Sequence, residues 1–185
     1  MDAMPGITQV RLSGFGGQGI VLAGLLLGQA GVFEKKYVSG SNSYGAQARG
    51  SECKSEIIFS DGPIDFPHLT TADILVSMSQ GTYDIYCVDV RETTGLILFD
   101  QGQVRPREGL TVNQIGVPAT EHAIKKLKSK QVSNIVLLGA LVELTRIVSP
   151  KAVRKAIRSH VSERFLAMNH EALRLGMELG RQAHG

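Results

Sequence analysis

The sequence predicts an α/β chain: a three-layer, Rossmann-like, mostly parallel sheet with helices on both faces and a helical C-terminus. Three observations predict it. Short apolar runs of strand length alternate with longer runs of helical spacing. The first strand–helix junction is a glycine-rich bend, Ser13-Gly14-Phe15-Gly16-Gly17-Gln18-Gly19-Ile20. Such bends join a strand to the helix it feeds in open α/β sheets. From Asn134 onward the pattern is helical to the end of the chain.

The elements follow in order. Thr8 to Leu12 reads as the first strand, and Gly19 to Phe33 as a helix apolar nearly all round, hence buried on most faces. Gly24, Gly28 and Gly31 inside that helix each cost roughly 1 kcal/mol relative to Ala, which points to close packing against another backbone or a partner surface. Lys36 to Ser39 is a short second strand, and Gly40 to Gly50 a long polar loop of the kind that carries function. Glu52 to Ser60 is a strand that stops at the turn Asp61-Gly62-Pro63, and Ile64 to Pro67 is a short edge strand. Asp73 to Met78 and Leu96 to Phe99 are buried strands flanking a helix at Thr82 to Val90, with a weaker strand at Leu110 to Val117. Helices follow at Thr120 to Lys128, Asn134 to Val148, Lys151 to His160 and Ser162 to Gln182. Ser149-Pro150 is the N-cap and first-turn proline of the third of these. Neither a repeat nor a linker divides the chain, so residues 1–185 form a single domain.

Composition narrows the function. The chain is 43% hydrophobic and 20% charged, with a net charge of +3, too small to argue for nucleic acid. The longest apolar run, Ile20 to Ala30, is too short to span a bilayer. The first residues lack a charged region followed by an apolar one, so no signal peptide is expected. Cys53 and Cys87 form no C-x-x-C pair and read as reduced core thiols of a cytoplasmic protein, unable alone to hold a metal centre. His68, His122, His160, His170 and His184 show no ligand spacing. The basic runs Lys125 to Lys130 and Lys151 to Arg158 read as solvated helix faces.

The bend carries the chemistry. A glycine turn at a helix N-terminus gathers bare N–H groups and favours a phosphate, pyrophosphate or carboxylate. Gly14, Gly16 and Gly19 fit G-x-G-x-x-G, but the region where a ribose-binding acid belongs reads Lys35-Lys36-Tyr37-Val38-Ser39-Gly40. NAD is therefore disfavoured. NADP stays open through Lys35, Lys36 or Ser39, as a free-standing NADP-binding oxidoreductase. No Gly-Lys-Ser/Thr follows, which excludes a Walker A loop. The glycines alone also fit a plain tight turn. Gln18 at the helix start can donate and accept through its amide.

Gly16-Gly17-Gln18-Gly19-Ile20, followed by Tyr44-Gly45-x-x-Ala48-Arg49-Gly50, resembles the gamma subunit or domain of 2-oxoacid:acceptor (ferredoxin) oxidoreductases of the pyruvate, 2-oxoglutarate and ketoisovalerate type. Ser60 to Ile64, Ala72 to Leu75 and Asn134 with Leu138-Gly139-Ala140 extend the likeness over roughly residues 8–145. Ala46-Gln47 stands where that family usually has Pro-Glu, and Ser51 where it often has glycine.

The resemblance implies a chain that works only inside a complex, turning a 2-oxoacid, coenzyme A and oxidised ferredoxin into acyl-CoA, carbon dioxide and reduced ferredoxin. Thiamine diphosphate, magnesium and iron–sulfur clusters would sit mainly on other chains: thiamine-binding alpha and beta subunits and a ferredoxin-like delta subunit. The separate short chain points towards 2-oxoglutarate or a related acid. Gly14, Gly16, Gly17, Gln18, Gly19, Asn42, Tyr44 and Arg49 are the cofactor-contacting set, with coenzyme A as the ligand; no catalytic residue is assigned. The Arg49 guanidinium fits a phosphate or a carboxylate, and equally an ion pair across a subunit interface. Tyr44 fits a stacking role or a pin for its loop.

Overall fold

The first strand outruns its apolar residues. In the computed structural model, which describes residues 6–44 and 51–184, β1 spans Ile7–Phe15 and carries Ser13 and Gly14 into the sheet. α1 (Ile20–Phe33) follows, then β2 (Tyr37–Tyr44), β3 (Glu52–Ser60), β4 (Ile74–Ser77) and α2 (Gln80–Tyr86). β5 (Leu96–Asp100), β6 (Asn113–Val117), α3 (Ala119–Leu127), α4 (Ser133–Thr145), α5 (Pro150–His160) and α6 (Glu163–His184) complete the chain.

The six strands lie in the order β2-β3-β1-β4-β5-β6. β1, β4, β5 and β6 are parallel neighbours, whereas β3 opposes both β1 and β2. Only β3 runs against the rest, so the sheet is mixed but mostly parallel, as expected. Residues 61–73 carry no regular strand, so the expected edge strand at Ile64 to Pro67 is absent; Pro63 and Pro67 withhold two of the N–H groups a ladder needs. The larger correction concerns Gly40 to Gly50. Its first half is strand: Gly40 to Tyr44 pair with Ile57 to Cys53. Small polar residues hide this strand, because they lack the apolar alternation that marks one.

Both sheet faces are covered, unequally. Val10, Leu12, Ile57, Phe59, Val76 and Leu98 join α1, α3, α4, α5 and α6 in the main core. Leu75, Ile97 and Phe99 meet Tyr83 of α2 and Cys87 in a smaller one. Full burial of side chains such as Leu26 and Leu27 contributes about 2–3 kcal/mol each. The glycines of α1 now have a reason: a Cβ at Gly24 would stand 2.0 Å from Ser55 Oγ, and one at Gly31 2.4 Å from Phe59 Cε1. α4 and α6 cross on Gly139 and Gly176, whose Cα atoms would each meet the other's Cβ at about 3 Å (3.1 and 3.0 Å).

Candidate functional site

The site forms where the sheet changes hand. α1 leaves β1 for one face and α2 leaves β4 for the other, which opens a crevice at the carboxyl ends of these two neighbours. One wall is the bend 15–19, the other Met78 to Gly81. The strand ends are held by Met78 N donating to Ser13 O at 2.9 Å. Beneath lies a buried hydroxyl chain: Ser13 Oγ to Ser77 Oγ at 3.3 Å, Ser77 Oγ to Thr82 Oγ1 at 3.2 Å, and Ser79 Oγ to Thr82 Oγ1 at 2.9 Å.

Gln18 braces the crevice. Its Oε1 accepts from Phe15 N at 2.6 Å and its Nε2 donates to Met78 O at 2.9 Å, so one amide bridges both walls. Gly14 has no Cβ because that position would lie 2.5 Å from Gln18 Oε1. Gly16 N donates to Ser51 O and Gln18 N to Phe15 O. Asn134, from the start of α4, donates through Nδ2 to Gly19 O at 2.9 Å. Its Oδ1 is buried without a partner among the described residues.

The rest of the bend stays open. Gly17 and Gly19 have φ of 97° and 74°, the left-handed region that glycine enters freely. Gly19 caps α1 without a side-chain hydrogen bond, and the first turn holds no acidic residue. Among the described residues, the N–H groups of Gly17, Gly19, Ile20, Val21 and Leu22 have no partner. That donor set fits an anion. Gln18 acts as a strut, with each end of its amide on a protein atom.

Of the other expected site residues, Asn42 and Tyr44 lie to one side. Gly14 pairs with Cys53, and Cys53 with Tyr44, so the three form one row across the sheet. Two strand spacings put Tyr44 roughly 10 Å from the bend. Asn42 and Tyr44 are exposed on β2, the edge strand, rather than on a loop. A cleft of about 110 Å³ beside Tyr44 is lined by Ser43, Glu52, Lys54 and Tyr86. Arg49 lies outside the described residues, as do Gly45 to Ala48 and Gly50. Asn134 and the Ser/Thr chain are site-shaping residues that sequence reasoning did not assign. The signal for the hydroxyls is their clustering at the ends of two apolar strands; that for Asn134 is its place in the family motif.

Electrostatics add little chemistry here. Burial pushes both thiols, Cys53 and Cys87, above their ordinary range, which keeps them protonated and inert. Among the described residues no three His, Cys, Asp or Glu side chains are grouped to hold a metal ion. Behind the bend, Arg11 on β1 is 5% exposed. It donates to Glu56 Oε1 at 2.8 Å and stacks 4.7 Å from the Tyr86 ring centre. A wider groove of about 700 Å³ lies beyond α2, but Gln80 on its wall is tied to the Arg105 backbone in both directions.

The geometry also speaks against NADP. β3 lies between β1 and β2, where a dinucleotide fold sets its second strand beside the first. Lys35 and Lys36 follow the far end of α1, a helix length of roughly 21 Å from the bend.

No helix among the described residues is long and apolar enough to cross a membrane. The 2-oxoglutarate synthase subunit KorC of Methanocaldococcus jannaschii is 42% identical over 177 residues, 94% of either chain. The keto/oxoacid ferredoxin oxidoreductase gamma subunit from Geobacter sulfurreducens superimposes with a TM-score of 0.86 at 36% identity, over 96% of this chain and 98% of that one. The 2-oxoglutarate:ferredoxin oxidoreductase from Magnetococcus marinus, solved with 2-oxoglutarate, coenzyme A and succinyl-CoA, shares the fold with a TM-score of 0.87 at 22% identity. The match covers 97% of this chain but 32% of that longer one. Residues 9–179 match the family described as pyruvate ferredoxin/flavodoxin oxidoreductase, and the chain belongs to it.

Proposed function

We propose that this chain is the gamma-type subunit of a 2-oxoglutarate:ferredoxin oxidoreductase, active only within its complex. The observation that carries the reading is 42% identity, end to end, to a 2-oxoglutarate synthase subunit. Partner chains of the alpha, beta and delta kind would carry thiamine diphosphate, magnesium and the iron–sulfur clusters, with ferredoxin as the acceptor. On this reading the chain helps to hold coenzyme A, which supplies the thiol that takes the acyl group. The open N–H groups of Gly17, Gly19, Ile20, Val21 and Leu22 suit a phosphate, and Gln18 holds the bend in shape for it. Tyr44 stands within a cofactor's length of the bend, and Arg49 follows it in the chain. The enzyme works in the cytoplasm, where thiols such as Cys53 and Cys87 stay reduced.

Tagged chain co-expressed with its complex should yield a brown preparation that reduces ferredoxin only with both 2-oxoglutarate and coenzyme A. In that complex Arg49→Ala should raise the apparent KM for coenzyme A about tenfold, the scale of one lost charge-assisted hydrogen bond. An unchanged KM in an intact complex would remove the coenzyme role. An isolated chain that reduces NADP by itself would remove the whole reading.

A further inference from the structure

α4 is buried from Ser133 to Glu143, and Ile135 to Val142 carry no polar side chain. Asn134 stands at the head of that run and is 4% exposed. It does not cap its helix, whose N-cap is Val132 without a side-chain bond. Its amide lies instead against the bend. A Cβ at Gly19 would stand 2.3 Å from Asn134 Nδ2, 3.0 Å from Cγ and 3.6 Å from Oδ1. Nδ2 donates to Gly19 O at 2.9 Å, and Oδ1 is buried without a partner among the described residues.

Packing does not explain this residue. Gly19 O already accepts from Ala23 N at 3.0 Å, so Nδ2 brings it a second donor rather than a missing one. A buried acceptor left unpaired costs stability, and asparagine is a weak helix former. Leucine has about the same shape and would carry neither cost. What the amide fixes is a peptide plane. Gly19 C=O and Ile20 N–H belong to one planar trans peptide and point in opposite directions. Gly19, at a φ of 74°, has no side chain to restrain that plane. Donors from α1 and from α4 restrain it together, and so aim Ile20 N–H out of the open end of α1, where it has no partner among the described residues. Donation to the oxygen also polarises the peptide and strengthens its N–H as a donor.

We propose that Asn134 is a positioning residue for the ligand of the bend: its bond to Gly19 O locks the Gly19–Ile20 peptide so that Ile20 N–H faces a phosphate group of coenzyme A. The inference rests on the reading that puts coenzyme A at the bend. Asn134 acts from beneath and does not touch the ligand, because its amide is buried. The stability given up at Oδ1 is exchanged for a donor held ready before the ligand arrives, so less order has to be imposed on binding.

The test uses the assembled complex. Asn134→Leu removes Nδ2 and the unpaired Oδ1 together. It should keep or raise the melting temperature, while the apparent KM for coenzyme A rises about tenfold at unchanged kcat, the scale of one hydrogen bond to a charged group. Asn134→Ala loses the same donor but opens a small cavity, so it should melt lower and show the same rise in KM. Leu179→Ala, in the core on α6, should also melt lower and leave that KM alone. The KM for 2-oxoglutarate should stay at its wild-type value in all three. Hydrogen exchange on the wild-type complex reads the seat without a variant: coenzyme A should slow the Ile20 amide about tenfold or more. A slowed Ile20 amide with an unchanged KM in both Asn134 variants would overturn the role of Asn134 and leave coenzyme A at the bend. So would a KM that rises in step with lost stability, Leu179→Ala included. An Ile20 amide that coenzyme A does not slow would overturn both.

Discussion

Two of the glycine clusters in this molecule, the bend and the crossing of α4 and α6, do opposite work. At the bend, Gly17 adopts a φ of 97° and a Cβ there would meet nothing within 4 Å. Its hydrogen is needed for conformation, not space. At the crossing of α4 and α6, Gly176 is ordinary helix, but a Cβ would stand 1.9 Å from Val136 O. There the hydrogen is needed for space, not conformation. The bend keeps N–H groups open, whereas the crossing lets two backbones touch. A glycine's role thus follows from what lies beside it, which a sequence does not print.

The largest effect should come from the crossing. Helix propensity alone says that Gly176→Ala stabilises by about 1 kcal/mol. Contact says the reverse, because the neighbour is a carbonyl that cannot swing away. Overpacking of this kind costs about 3 kcal/mol. For a chain of this size that lowers the melting temperature by roughly 6–12 °C. Thermal unfolding followed by circular dichroism reads the sign directly. A melting point that rises would mean that the two helices stand apart.

Next comes the bend itself. Gly19→Ala meets strain and steric conflict together: φ is 74°, and the new Cβ would lie 2.3 Å from Asn134 Nδ2. We expect a loss of about 2 kcal/mol, against about 1 kcal/mol for Gly17→Ala, where strain acts alone. Urea titrations of the two variants should keep that order. Equal losses would show that Asn134 moves aside freely, and that the bend is governed by conformation alone.

Gln18→Ala should cost about 1 kcal/mol, since two hydrogen bonds go, one of them to the exposed Phe15 and one to the buried Met78. Gln18→Glu keeps an acceptor for Phe15 N and loses the donor to Met78 O. It should therefore lose about as much as Gln18→Ala while exchange at the Phe15 amide stays slow. If the alanine variant alone frees that amide, the strut is real. If neither does, Phe15 N is held by something else.

The comparison also explains what could be read early. The bend was legible because a strand pattern precedes it and a helix pattern follows, and both are local. α1 and β3 were legible almost to the residue for the same reason. β2 was half lost, because Gly40-Ser-Asn-Ser pairs through backbone rather than through apolar side chains. The inner role of Gln18 depends on Met78, 60 residues away, and that of Asn134 on Gly19, 115 residues away. Nothing local marks either contact. Gly139 is marked in the sequence only by the family motif, and its contact with Gly176 is non-local.

The smallest effect separates both regions from charge. The atoms nearest a Cβ at Gly176 are backbone, and none stands near one at Gly17. Their penalties should therefore be the same at neutral and acid pH. The acid limb belongs instead to Glu56 on β3. Burial works to raise its carboxyl pKa, but hydrogen bonds from Lys54 and Arg11 outweigh that and hold it below the ordinary carboxylate value. A group lowered in the folded state stabilises fully above its unfolded value of about 4.3, and that contribution fades as pH falls through the folded one. Glu56→Gln should flatten the fall in urea-unfolding free energy below about pH 4, leaving the glycine penalties untouched. A glycine penalty that itself changes with acid would place an ionisable group at a contact where the structure has only backbone, and the contrast between the two clusters would have to be redrawn.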